Sequence, residues 1–341
     1  MFSTRKTAEM PTPPLLELRK LSVEFSTHEG VVKAVSDVDL DLATGETLAV
    51  VGESGSGKSQ MLLSVLGLVA GNARVTGSAR FKGEELIAAP EKRLNQIRGL
   101  EVGFVFQDPM TSLNPYLSIG SQLTEPLRIH KGADRGTAVA KAIEMLKAVN
   151  ITEPERRMRQ YPHQLSGGMR QRVAIAMALI CQPEILIADE PTTALDVTVQ
   201  AQVLSLLREI RQQFGIAVIL VTHDLGVIAE LADRVNVMYA GKIVEKGPVE
   251  DIFYHCRHPY TEALERSIPQ FTEIRPARLN AITGNPPNPA HLPPGCAFHP
   301  RCPYRLEICD QVVPALESVS PGHAKACFYE GPLQTVVESP A

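Results

Sequence analysis

The first hundred residues alternate between apolar and polar side chains, and this spacing of two predicts β-strands. In the segment AVSDVDLDL the alternation includes Val35, Val38, Leu40 and Leu42. A different run, TLAVV, is apolar throughout, as expected for a strand that is buried on both faces. We therefore predict mainly strands from residue 15 to about residue 106.

The spacing changes to that of helices between about residues 109 and 149. In TAVAKAIEMLKAV, one predicted helix face consists of Val139, Ile143, Leu146 and Val149. Strand signals return in EILIAD, IAVILVT and VNVMY, with a predicted helix between the first two. The apolar stripe of that helix consists of Val199, Val203, Leu206, Leu207 and Ile210. Apolar strands separated by helices indicate an α/β fold with a parallel sheet covered on both faces.

The composition changes near residue 258, where proline, cysteine and histidine become frequent, as in PPNPAHLPPGC. We predict a disordered lead-in over residues 1–14 and a main unit over residues 15–257, with a helical subdomain over about residues 108–175. A separate C-terminal unit is predicted over residues 258–341.

Composition and charge narrow the functional classes. Hydrophobic residues make up 44% of the chain, as in a globular protein, and the formal charge of −4 does not suggest a nucleic-acid-binding surface. No apolar run reaches the roughly 18 residues that span a bilayer, and the N-terminal segment lacks the apolar core of a signal peptide. We expect a cytosolic protein whose membrane role comes through a partner.

The segment GESGSGKS, residues 52–59, matches the phosphate-loop pattern G-x-x-x-x-G-K-[ST] between a predicted strand and a predicted helix. Small residues let backbone N–H groups point at phosphate oxygens, and the following helix presents its positive end. We expect Lys58 to reach the β- and γ-phosphates and Ser59 to bind magnesium. A glycine-rich turn with an exposed lysine is the alternative. The predicted nucleotide-binding residues here are Gly52, Ser54, Gly55, Gly57, Lys58, Ser59 and Gln60.

Two acids end the apolar strand ILIADE. Asp189 is placed to hold magnesium, directly or through water, and Glu190 to polarise an attacking water. The alternative interpretation of the pair is an N-cap for the next helix.

The segment LSGGMRQR precedes a predicted helix and offers a second anion site. Ser166, Gly167 and Gly168 supply a hydroxyl and accessible backbone N–H groups at the helix N-terminus. A chain that holds one nucleotide does not need two such sites. We therefore expect this one to clamp the γ-phosphate of ATP held by another subunit.

In order and spacing, GESGSGKS, FVFQDP, LSGGMRQR, ILIADEP, TTALD and VTHD resemble the ATP-binding subunits of ABC transporters. The resemblance covers roughly residues 15–255. It implies a P-loop NTPase fold of the ABC type, with a RecA-like core, an antiparallel β subdomain and a helical subdomain. HPYTEAL and the cysteine-rich tail are similar to the subgroup that serves bacterial dipeptide and oligopeptide importers, which adds a small C-terminal extension.

The same resemblance implies further roles. Phe25 would stack on adenine, although a strand aromatic is also an ordinary core residue. Gln107 would sense the γ-phosphate or magnesium, Asp196 would communicate between subunits, and His223 would hold the γ-phosphate and orient water beside Glu190. Gln60 stands where the family commonly has threonine or serine.

Four cysteines cluster in the tail, at Cys296, Cys302, Cys309 and Cys327. Their spacings, C-x5-C, C-x6-C and C-x17-C, lack the short pairs of zinc ribbons and leave zinc, a [4Fe-4S] cluster and unbound thiols open. His291 and His299 could replace a ligand in a zinc site. The resemblance implies the iron–sulfur cluster.

The resemblance implies an ATPase that powers import of di- or oligopeptides from the cytoplasmic face of the bacterial membrane. Its expected partners are a second, distinct ATPase subunit, two permease subunits and, through them, an external binding protein. A homodimer is also physically allowed. Alternatives are an importer of nickel complexes, a soluble ABC-type ATPase acting on nucleic acid or ribosomes, and a non-enzymatic ATP-binding regulator.

Overall fold

The computed structural model describes residues 13–28, 30–108, 112–193, 195–223, 225–267 and 282–333. All but the last two positions of the predicted lead-in lie outside these residues. In the described ranges the strands are β1 Leu16–Thr27, β2 Gly30–Leu42, β3 Thr47–Val51, β4 Ala73–Phe81, β5 Glu84–Glu85, β6 Val102–Val105, β7 Ile185–Asp189, β8 Ala217–Thr222, β9 Arg234–Tyr239, β10 Lys242–Pro248, β11 Glu317–Ser320 and β12 His323–Lys325.

The helices of the same ranges are α1 Lys58–Val65, α2 Glu91–Ile97, α3 Ile119–Lys131, α4 Arg135–Ala148, α5 Pro154–Arg157, α6 Gly167–Leu179, α7 Val197–Phe214, α8 Leu225–Leu231, α9 Val249–Tyr254 and α10 Pro259–Arg266. Short 3₁₀ turns lie at Pro162–Gln164, His299–Arg301 and Glu307–Asp310. None of the helices within the described ranges combines the length and apolar character needed to cross a membrane.

Two sheets organise the chain. The first is antiparallel, in the order β2-β1-β4-β5. The second has the order β11-β12-β10-β9-β3-β8-β7-β6, and its strands from β9 to β6 are parallel. The predicted α/β fold with a parallel sheet is therefore confirmed.

Both faces of the parallel sheet are covered, as predicted. Successive residues of β7 point to opposite faces: Leu186 packs in a core cluster with α3, α4, α6 and α7, whereas Ile187 packs in a second cluster with α1 and the antiparallel sheet. The stripe predicted for α7 is buried from Val203 to Ile210, with Val199 partly buried.

One position of a predicted helix face is wrong: Leu146 and Val149 are buried and Ile143 packs against the core, but Val139 does not. Val139 of α4 is 37% exposed, and the buried positions of this helix are Ala138, Ala142, Met145 and Leu146. Alanine side chains let α4 approach its neighbours closely, so the small residues face the core although the larger Val139 has the higher hydropathy.

The C-terminal segment extends the parallel sheet instead of standing apart from it. Strand β12 pairs with β10 in antiparallel register, Glu245 opposite Lys325. A third core cluster joins Val235 and Val237 of β9 to Tyr260 and to Phe298 near the cysteines. The residues on either side of position 258 therefore share a sheet and a core.

Candidate nucleotide-hydrolysis site

The strand order brings the predicted catalytic segments to one edge of the sheet. Strands β3, β8, β7 and β6 are neighbours and run parallel, so their carboxyl ends lie side by side. The phosphate loop follows β3, and His223 follows β8. Asp189 ends β7, Glu190 comes directly after it, and Gln107 follows β6. Ligands of open α/β sheets bind at this edge.

The phosphate loop packs tightly against the antiparallel sheet. Gly57, the residue before α1, has φ of 100°, and a Cβ there would lie 2.2 Å from the carbonyl oxygen of Ala34 in β2. Glycine is therefore required at this position by both conformation and space. Ser54 and Gly55, at the tip of the loop, are exposed, and Gln60 is half-buried within α1.

Lys58 is folded back over its own loop. Its Nζ donates hydrogen bonds to the carbonyl oxygens of Gly52, at 2.7 Å, and Glu53, at 2.9 Å. Burial lowers the pKa of this lysine, and the nearby carboxylates of Glu190, Asp189 and Glu53 oppose that effect. The loop thus holds a buried ammonium group beside the phosphate-binding backbone.

Asp189 offers an oxygen that the described residues leave unsatisfied. Its carboxylate is buried and accepts a hydrogen bond from the Ser59 side chain, while Oδ1 has no hydrogen-bond partner within the described ranges. Burial and the neighbouring Glu190 raise the pKa of Asp189, although Ser59 and Lys58 act against the rise. A hydroxyl and a buried carboxylate oxygen are hard ligands of the type that magnesium prefers.

Glu190 is held from several sides. Its φ of 46° lies in the left-handed region, a strained conformation for glutamate that concentrates at functional sites. Oε2 accepts hydrogen bonds from Gln107 Nε2, at 3.0 Å, and Thr193 Oγ1, at 2.9 Å. Oε1 lies 3.6 Å from Nδ1 of His223, whose side chain is mostly exposed. The carboxylate is fixed beside the loop, next to an accessible imidazole.

The segment LSGGMRQR, residues 165–172 and called here the signature segment, lies against the start of α7. Ser166 is the N-cap of α6 and accepts from the Met169 N–H. A Cβ on Gly168 would lie 2.6 Å from Cγ1 of Val199, so α6 and α7 pack too closely there for a side chain. Asp196 caps α7 by accepting from the Val199 N–H at 3.0 Å. Because Asp196 fills this position, the N-cap interpretation of Asp189 and Glu190 is wrong.

Phe25 lies on β1 opposite Val32 and Ala73 and is half-buried against the second core cluster. Its stacking on adenine stays a prediction, because the partly buried position does not decide between that role and packing at the edge of the core.

All four tail cysteines line one small cavity. Its other walls include Phe298, Tyr304 and His299, but not His291. Burial and neighbouring thiols raise the pKa of Cys302 to about 12, and burial raises that of Cys296. These raised pKa values favour the protonated thiols over the thiolates that would bind a metal. Within the described ranges, no set of three or more His, Cys, Asp and Glu side chains is arranged to hold a metal ion.

Sequence reasoning missed several contacts of this site. Thr193, which bonds Glu190, lies inside the TTALD motif and could have been inferred from it. Glu53 of the loop is contacted by Tyr260 and Arg301 from the C-terminal segment, and no sequence pattern signals those pairings.

Comparison with known proteins agrees with this geometry. Residues 35–193 match the family model described as ABC transporter, and residues 244–309 match the one described as oligopeptide/dipeptide transporter, C-terminal region. A solved ATP-binding cassette, dimeric in a post-hydrolysis state with ADP and Pi, has a TM-score of 0.62 and 31% identity. That match covers 69% of this chain and 98% of the cassette.

Several relatives match over most of their length. The oligopeptide transport ATP-binding proteins of Salmonella typhimurium and Haemophilus influenzae are 51% and 53% identical, covering 96% and 92% of this chain and 97% of each relative. The dipeptide transport ATP-binding protein of Bacillus subtilis is 50% identical, covering 93% of this chain and 95% of that protein. The chain therefore belongs to the ATP-binding proteins of the ABC transporter family, in the group that carries the oligopeptide/dipeptide transporter C-terminal region.

Proposed function

We propose that this chain hydrolyses ATP to power the import of di- or oligopeptides through membrane permease subunits. The observation that supports the ATPase activity is the position of the Glu190 carboxylate. Gln107 and Thr193 donate hydrogen bonds to it at the sheet edge from which the phosphate loop starts. The peptide part rests on the names of the relatives and on the C-terminal region that they share with this chain. Neither points to nickel or to nucleic acid.

The chain's own residues perform the steps of hydrolysis. The loop N–H groups, the N-terminus of α1 and Lys58 bind and orient the phosphates. Glu190 accepts a proton from the attacking water, and His223, beside it, orients that water and the γ-phosphate. Bound magnesium supplies charge neutralisation, and Ser59, Asp189 and Gln107 would hold it.

The signature segment completes a site in a second ATPase subunit. Ser166, Gly167 and Gly168 begin α6, where N–H groups and the helix dipole attract the γ-phosphate of the partner's ATP. Asp196 caps α7, which packs against this segment, and it would communicate between the two subunits when they close. We infer a distinct ATPase as partner, two permeases, an external binding protein reached through them, and a position at the cytoplasmic face.

We further infer that the cysteine cavity holds a [4Fe-4S] cluster, with zinc as the alternative. The cavity that the four cysteine side chains share supports this proposal. A bound group would stabilise the proline-rich residues 258–341, whose described part shares a sheet and a core with the proposed ATPase unit of residues 15–257. Anaerobically purified protein is expected to be brown and to contain acid-labile sulfide. Colourless protein with stoichiometric zinc would contradict the cluster.

Uptake in the source cells tests the transport function. Labelled dipeptides, longer peptides and nickel are supplied to cells with the wild-type chain or with Glu190→Gln. Selective loss of one peptide class is expected and identifies the cargo. If nickel uptake alone fails, or if no cargo depends on Glu190, peptide import is contradicted.

A further inference from the structure

Glu53, the second residue of the phosphate loop, is held by two residues of the C-terminal segment. The guanidinium of Arg301 donates to both carboxylate oxygens, at 2.6 Å to Oε2 and 3.0 Å to Oε1. The hydroxyl of Tyr260 accepts from the backbone N–H of Glu53 at 2.8 Å. Side chain and backbone of this loop residue are therefore both anchored from outside the ATPase motifs.

The side chain of Arg301 is buried at this contact and makes several hydrogen bonds. Its side chain is 4% exposed, and it also donates to the Thr283 carbonyl and the Tyr239 hydroxyl. The guanidinium lies over the rings of Tyr239 and Phe298, 5.9 Å from each centroid. A buried, bidentate pair has a defined geometry, and removing one partner leaves an uncompensated charge.

The anchored residue in turn positions Lys58. The carbonyl oxygen of Glu53 accepts a hydrogen bond from Lys58 Nζ at 2.9 Å. A shift of the Glu53 backbone would move the acceptor of the phosphate-binding ammonium. Between Glu53 and α1 the tip residues Ser54 and Gly55 are exposed, so the anchor restrains the base of a loop whose tip has few contacts.

The position of Arg301 depends on residues 296–310, called here the cysteine segment, which contain three of the four tail cysteines. Arg301 ends the 3₁₀ turn that leads into Cys302, and its N–H donates to the Phe298 carbonyl at 2.9 Å. The Cys296 N–H, at the start of this stretch, donates to the Cys309 carbonyl at 2.7 Å. Folding of this segment therefore presents Arg301 to the loop.

We propose that Arg301 is a positioning residue for nucleotide binding, which acts with Tyr260 by fixing Glu53 so that an ordered cysteine segment raises the affinity of the phosphate loop for ATP. The proposal rests on the ATPase function proposed above. A loop that is already in its binding conformation loses less entropy when phosphate binds. Linkage is reciprocal, so bound nucleotide also stabilises the cysteine segment.

A double-mutant cycle on the full chain tests the proposal. Arg301→Met, Glu53→Gln and the double variant are titrated with a non-hydrolysable ATP analogue and magnesium, and Arg305→Met is the control because Arg305 pairs with Asp310 inside the same segment. Each single variant is expected to weaken binding by roughly fivefold, with the double variant no weaker. The control is expected to bind like wild type.

Hydrogen exchange separates positioning from general stability. Adding the analogue to wild type is expected to slow exchange in residues 52–59 and also in residues 296–302. In Glu53→Gln, the analogue is expected to slow exchange in residues 52–59 but no longer in residues 296–302. If Arg301→Met does not fold, Arg301→Lys is measured in its place. Lysine keeps the positive charge but cannot make the two parallel hydrogen bonds to Glu53. Unchanged affinity in folded Arg301 and Glu53 variants, or additive effects in the double variant, would overturn the proposal. Failure of wild type to bind nucleotide would contradict the ATPase function, and this proposal with it.

Discussion

Gln107 Nε2 donates a 3.0 Å hydrogen bond to Glu190 Oε2, although the two residues lie 83 positions apart. The contact forms because β6 and β7 are adjacent parallel strands that deliver both side chains to one edge. Gln107 thus orients the carboxylate proposed to activate water, in addition to any contact with nucleotide.

Gln107→Leu is expected to lower the turnover of ATP more than the affinity for it. Leucine keeps similar bulk but cannot donate, so Glu190 Oε2 would lose one of its two described hydrogen bonds and keep the one from Thr193. Loss of such an orienting partner typically reduces activity by about tenfold or more. Steady-state phosphate release measures kcat and KM, with Gln213→Leu on the exposed side of α7 as the control. An unchanged kcat would show that Gln107 does not position Glu190.

Asp189→Asn is expected to remove the magnesium dependence of ATP binding. Asparagine preserves the shape but loses the charge, and it also relieves the repulsion between Asp189 and Glu190. Folded stability should therefore be unchanged or higher while binding in the presence of magnesium weakens. Calorimetric titration with magnesium and with a chelator, beside thermal unfolding, makes both comparisons. Wild-type magnesium dependence in this variant would contradict the ligand role.

Substitutions at Ser166 separate its capping role from its phosphate role. Asp and Asn are good N-caps, so Ser166→Asp and Ser166→Asn should keep the stability that Ser166→Ala loses, about 1 kcal/mol. Aspartate also adds a negative charge where the γ-phosphate of the partner's ATP is expected. Turnover by the assembled ATPases should therefore fall at least about tenfold in Ser166→Asp and much less in Ser166→Asn. Equal turnover of the two variants would contradict the clamp.

Glu265 is expected to make the protein less stable as pH rises. Burial raises its pKa from 4.5 to about 8, reinforced by Glu245 and Glu262. Between these values the native state holds a proton that the unfolded state has lost, so the free energy of unfolding falls with increasing pH. Urea denaturation should show Glu265→Gln to be more stable than wild type at pH 8.5, with a smaller difference at pH 5. Glu250→Gln, at an exposed position, is the control, and parallel pH profiles would refute the assignment.

The location of the phosphate loop in the fold was largely predictable because its motif is local. A phosphate loop requires a strand before it and a helix after it, and the sequence around Lys58 shows both. The convergence of Gln107, Glu190 and His223 follows from strand order, which the sequence alone does not specify. Periodicity failed at Val139 because close helix packing favoured alanine over the larger side chain.

The C-terminal segment was the least predictable part. Strands β11 and β12 are short and polar, so they lack the apolar alternation that identifies strands. Arg301 and Glu53 are 248 positions apart, and no pattern near either residue indicates the other. Such contacts depend on tertiary packing and had to be observed.

The most direct test of the central claim is transport in vesicles. The chain is assembled with its permeases and partner ATPase, and labelled peptide uptake and phosphate release are measured together for wild type and Glu190→Gln. We predict that Glu190→Gln binds ATP as wild type does but loses most of both activities in parallel, since general-base catalysis contributes about a hundredfold or more. Undiminished peptide uptake by Glu190→Gln would contradict the claim that hydrolysis at this site powers import.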